Sequence, residues 1–275
     1  MVMIAEIYLL LIKEDNNRKM KIWTLIFLIC FSNLSAQVVD RTPEPRKSLN
    51  SHIEQMLREN KFTNNIMTSG DSYNLPSMKL TDSILYFPNL QILSIVGCDI
   101  KILPKDIGRL NGLRIINLIG NKINCLPNSI GDLDNLTSLE IGVNEIDSLP
   151  ASVIKLKKLK TLVIGNNKFT TFPCCITKLV TLETLSIKSS RIDKMPEEIV
   201  NLINLKTLDF SMCDFKTFPP EVLQLKNIEV LIFYGNKIKQ LPDLSALKKL
   251  RKLYIDKKKF DITNLQKELP DCDIQ

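Results

Sequence analysis

The side chains able to do chemistry are few, and their arrangement points away from a reaction. The 275 residues contain a single histidine, His52, so no catalytic or metal site built from several imidazoles can form. Of the seven cysteines, two are adjacent, Cys174-Cys175. Such a pair could serve redox or metal chemistry, but its position on a variable leg of the chain reads as an ordinary surface pair, one side chain half-buried. No GxxxxGK[ST] phosphate loop, GxGxxG turn, GxSxG elbow or HExxH pair occurs. No catalytic residue, metal ligand or cofactor is therefore assigned, and the chain reads as non-enzymatic.

The bulk properties narrow the class further. A composition 44% hydrophobic and 24% charged belongs to a packed globular chain, not to a disordered or collagen-like one. The 37 Lys and Arg outnumber the 30 Asp and Glu to give +7, a mild excess that does not by itself indicate nucleic acid.

The N-terminus has its own grammar. Met20-Lys21 opens a stretch in which a positive residue precedes the apolar run Ile22 to Phe31 and the short polar end Ser32 to Ala36. This order is that of an export signal, too short to span a bilayer, with cleavage after Ala36. Residues 1–36 are read as an extension plus signal peptide, and 37–49, with two prolines and no periodicity, as a linker. Ser51-His-Ile-Glu54 has capping-box spacing, and Leu49, Ile53, Met56 and Leu57 share one helical face, which predicts a short helix over 50–60.

From residue 90 the chain repeats every 23 residues. Leu90, Leu113, Leu136, Leu159, Leu182, Leu205 and Ile228 keep that step, as do seven prolines from Pro104 to Pro242. The seven apolar positions of one unit, Leu113, Ile116, Leu118, Ile123, Leu126, Ile130 and Leu133, are apolar in all six units from 90 to 225. Self-similarity at a fixed period means a solenoid. Ile116 and Leu118, two apart, face the same side of a short strand, while Asn117 faces away. Asn121 ends the strand with an amide able to bond open backbone groups, and Asn144, Asn167 and Asn236 repeat it as a ladder that lapses at Cys98, Ser190 and Cys213. Pro127 opens the return leg, where Ile130 and Leu133, three apart, face inward from a helical or 3-10 turn. No unit buries seven apolar side chains alone, so neighbours must stack. Residues 50–89 are expected to form a helical cap with one degenerate unit (67–89), and 90–275 about eight repeats with a closing segment.

The pattern LxxLxLxxNxLxxLPxxIxxL resembles the leucine-rich repeat family, in its 23-residue LPxxI class known from bacterial proteins and from intracellular Ras-group plant proteins. The resemblance implies an α/β solenoid, a curved horseshoe with a parallel β-sheet on its concave face and short helical or 3-10 segments on its convex face. It also implies that the concave sheet binds a protein.

Strand residues beside the inward ones define that face. Val230, Ile232, Tyr234 and Tyr254 form an apolar cluster near the C-terminal end, with both tyrosine side chains expected to point off the sheet into solvent, and Tyr is favoured at binding hot spots. Glu140, Lys188 and Asp209 lie in a polar centre. The mixed signs argue against a nucleic-acid groove. Strand spacing of about 4.8 Å separates Cys98 and Cys213, five units apart, by about 24 Å, beyond disulfide reach. The reading is thus a secreted or cell-envelope recognition module, bacterial in type, with a protein partner and no membrane span after processing. A self-assembling envelope protein, or a regulatory subunit of a separate enzyme, remains open.

Overall fold

The computed structural model describes residues 65–69, 80 and 82–275, and the stretches read as export signal, linker and capping helix lie outside them. Among the described residues, ten strands form one sheet in strict chain order. They are β1 (Asn65–Ser69), β2 (Ile92–Val96), β3 (Ile115–Asn117), β4 (Ser138–Glu140), β5 (Thr161–Val163), β6 (Thr184–Ser186), β7 (Thr207–Asp209), β8 (Val230–Ile232), β9 (Lys252–Tyr254) and β10 (Asp273–Ile274). All pair in parallel, and from β2 to β8 the register advances by 23 residues per strand, as in Leu139 opposite Leu162 opposite Leu185. At the N-terminal end Asn65 pairs with Ile92, so this unit is four residues longer than the 23-residue ones.

The return legs are 3-10 turns, which follows from their apolar spacing. A 3-10 helix has three residues per turn, so Ile130 within the turn Asn128–Asp132 and Leu133 capping it fall on one face, with Leu136 three residues further on, and all three are fully buried. Their backbones close the same steps: Ile130 N–H donates to Pro127 O (3.0 Å) and Leu136 N–H to Leu133 O (2.9 Å). Pro127 sits just outside the turn, extended at φ −68°, where its missing N–H interrupts no ladder. The same turn recurs at Ala151–Lys155, Cys174–Lys178, Glu197–Asn201 and Pro220–Gln224.

The Asn positions hold the units together. Asn144 Nδ2 donates back to Leu118 O (2.9 Å) in the preceding unit and to Ile141 O (3.0 Å) in its own. Its Oδ1 accepts from Ile123 N–H (3.0 Å). Asn167 and Asn236 repeat the set. Where the ladder lapses, less remains: Ser190 Oγ donates only to Ile187 O (2.7 Å), and the Cys213 thiol makes longer bonds of 3.5 Å to Ile187 O and Ser211 O. Burial pushes that thiol's pKa up to about 12, so it acts as a small weakly polar filler.

Unit seven is one residue short, so Val230 pairs with Lys252, and its return leg has no 3-10 helix. Asp243 Oδ1 accepts from Ser245 N–H (2.8 Å) in its place, while Leu244 and Leu247 still fill the inner positions. The α-helix α1 (Ile262–Glu268), capped by Asp261, and then β10 close the stack, burying Leu265, Leu269 and Ile274 over its last apolar edge.

Candidate functional site

Each strand presents alternate residues to the core and to the outer face of the sheet. The inner residues Leu208, Leu231 and Leu253 are fully buried, which leaves Asp209, Val230, Ile232, Tyr234 and Tyr254 on the outer face as the period of two requires.

Facing outward is not the same as facing solvent. The sequence reading expects Tyr234 and Tyr254 to stand clear in water, and the structure corrects this: Tyr254 is only 5% exposed and Ile232 2%, while Tyr234 is half-buried. Asp209 is fully buried, and Lys188 and Glu140 are buried as well. The physical reason is lateral crowding. Parallel strands lie about 4.8 Å apart, so each side chain in the middle column is walled by neighbours on both adjacent strands and by the i±2 residues of its own.

The centre is a hydrogen-bonded nest around one carboxylate. Asp209 Oδ1 accepts from Ser211 N–H (3.0 Å) and Ser211 Oγ–H (2.6 Å), and Oδ2 accepts from Ser186 Oγ–H (3.2 Å). Burial raises the Asp209 pKa, against the pull of these donors and of Lys188. Burial equally lowers the Lys188 pKa, with Asp209 opposing it. For both partners desolvation outweighs their mutual attraction. Ser186 and Ser211, absent from the sequence assignment, are the residues that hold Asp209. Their signal was spacing: Ser211 follows it by two and Ser186 precedes it by 23, which are the two neighbour distances on this sheet.

Gly165 makes room for Lys188. A Cβ there would fall 2.6 Å from Lys188 O and 2.8 Å from its Cγ, so the lysine stem lies across the glycine. Two units towards the N-terminus, Glu140 Oε1 accepts from Ser138 Oγ–H (3.0 Å), and burial raises its pKa too. Burial also raises both tyrosine pKa values. The seven assigned residues therefore share one face, but five of them are buried, and only Tyr234 and Val230 keep substantial open surface. Among the described residues no group of three metal-ligating side chains converges.

Comparison with known proteins agrees with this architecture. The family model for a leucine-rich repeat region matches residues 72–190 and 174–271. No curated sequence relative matches the chain. Among solved structures, a leucine-rich repeat protein of Leptospira interrogans is 25% identical, over 70% of this chain and 62% of that one, with a TM-score of 0.44. An internalin of Listeria monocytogenes is 16% identical over the same shares, with a TM-score of 0.56. A plant peptide hormone receptor, solved in complex with its peptide RGF2, is 24% identical over 65% of this chain, with a TM-score of 0.56. This chain spans less than two thirds of the Leptospira protein and 30% of the plant receptor. The 23-residue period, the single parallel sheet, the 3-10 return legs and the family match together establish that the chain belongs to the leucine-rich repeat family.

Proposed function

We propose that the protein is an exported, non-enzymatic recognition module that binds a protein partner on the outer face of its sheet. The observation carrying this reading is the division of labour along each strand. Inner positions are uniformly apolar from unit to unit, whereas the outer ones run through Glu140, Val163, Ser186, Asp209, Ile232 and Tyr254. A face whose residue types vary while the stacked architecture stays the same is where specificity can be written. The plant receptor with its bound peptide hormone is a repeat protein of the same fold acting as a receptor, which favours the same kind of role here. Export rests on the order of charges and apolar residues in 20–36, and a bacterial envelope setting on the LPxxI unit class.

The partner's anchor on this face is Tyr234, backed by Val230 and Ile232, with Tyr254 holding Ile232 in place. A photo-crosslinking residue at Tyr234 should join a protein from the native envelope, whereas the same probe at Ile154 on the return-leg side should not. With that partner in hand, Tyr234→Ser should weaken binding about thirtyfold, equivalent to about 2 kcal/mol at a hot spot. Equal crosslinking from both positions would remove the outer face as the site. N-terminal sequencing of protein from its native host tests export, with Gln37 as the expected first residue.

A further inference from the structure

The chain's positive charge is concentrated at one end. Residues 237–260 hold 9 of the 37 Lys and Arg but only 2 of the 30 Asp and Glu, so that the rest of the chain, with 28 of each sign, is neutral. Earlier units neutralise their edges by pairing across the repeat. Beside the Asn ladder, Lys122 meets Asp99 (2.9 Å), Lys168 meets Glu145 (2.7 Å) and Lys237 meets Asp214 (2.6 Å). On the opposite edge Glu183 bridges Lys160 (2.8 Å) and Lys206 (2.7 Å).

In the last units this alternation fails. Lys216 and Lys239 occupy the same place on adjacent units, and Lys257 and Lys258 follow on the 3-10 turn Lys257–Lys259; all four are exposed and have no ion pair among the described residues. Across the sheet, Lys248 and Arg251 are likewise exposed and unpaired. The nearby acidic groups of the closing segment are largely occupied elsewhere. Asp261 caps α1, Glu268 accepts from Leu244 N–H and Asn264, and Asp273 accepts from Gln275.

We propose that this C-terminal end is an electrostatic docking face for an anionic lipid surface, separate from the partner-binding sheet face. Three features select lipid headgroups over nucleic acid. The excess is almost all lysine, a point charge suited to diffuse attraction, where phosphate-specific recognition favours the forked donors of arginine. No large apolar or aromatic side chain between 237 and 260 is exposed to stack on a base. The charges also occupy both edges of the terminal units, which suits a flat anionic sheet rather than a strand lying in a groove.

Sedimentation of the full chain with vesicles tests this. Binding to phosphatidylcholine vesicles containing about 30% phosphatidylglycerol should exceed binding to phosphatidylcholine alone, and the excess should vanish at about 0.5 M salt, where the screening length falls to a few ångströms. The neutral vesicles register whatever the apolar stretch 22–31 contributes. Each lysine near an anionic leaflet is worth about fivefold in partitioning, so K239Q/K257Q/K258Q should reduce the excess at least tenfold, with an unchanged thermal midpoint. Equal binding to both vesicles, or an excess undiminished in the triple variant, would overturn the proposal. So would a 20-base-pair DNA duplex that binds more tightly than the anionic vesicles and depends on the same three lysines.

Discussion

Asp209 has a buried carboxylate, three hydrogen bonds from serines and a lysine nearby, and burial still raises its pKa above 3.8. The sign of the pH effect follows. A raised native pKa means that the folded state favours the protonated form, so its stabilising contribution is complete below 3.8 and is lost as pH rises through the native value. Asp209→Asn removes that loss. The difference in unfolding free energy between variant and parent should therefore shift in the variant's favour as pH rises above 3.8, as read from urea midpoints. A constant difference would mean that Asp209 titrates as it does in the unfolded chain. Val143 carries a second local conflict: a β-branched residue at φ +55°, where the equivalent Gly120 and Gly235 sit without strain. Val143→Gly relieves the clash of Cβ with the following carbonyl, and a gain of about 1 kcal/mol is expected in equilibrium unfolding, less the added freedom of the unfolded glycine.

At the scale of elements, the Asn ladder and the 3-10 legs divide the work. Apolar residues three apart drive the legs inward, and the Asn amides tie each strand end to the unit before it. Asn144→Ala deletes bonds to Leu118 O, Ile141 O and Ile123 N–H in a buried place, and should destabilise the protein by about 2–4 kcal/mol. The reverse substitution is more informative. Ser190 makes one ladder bond where Asn144 makes several, so Ser190→Asn should raise the thermal midpoint by restoring the missing ones. A drop in midpoint would show that units five and six have closed around the smaller side chain.

At the scale of the whole molecule, stability spreads along the stack, because each unit contacts chiefly its neighbours. No cross-link is needed. Cys98, Cys213 and Cys272 are buried, the last with its pKa pushed up to about 11 by burial, and Cys125 and Cys174 are exposed. Adding reductant should leave the thermal midpoint unchanged, and a fall of several degrees would reveal a disulfide. The aromatic packing in the later units, where Phe210 stacks on Phe233 at 5.7 Å and meets Phe215 edge-on at 5.1 Å, fills the core that aliphatic residues fill earlier.

The solenoid was legible in the residues because its constraint is periodic. A 23-residue step in Leu, Asn and Pro can be satisfied only by stacked identical turns, and the alternation Leu231, Ile232 already separates inner from outer face. The loss of one residue in unit seven was equally visible as a spacing of 22. Exposure was decided elsewhere. Whether Tyr254 stands in water or is walled in depends on side chains from other units that lie within about 5 Å only once the strands pair, and local pattern carries no record of that crowding. The same holds for the Asp209 nest, whose donors are 2 and 23 residues away. Period fixes which way a side chain points; only the packed stack decides what meets it there.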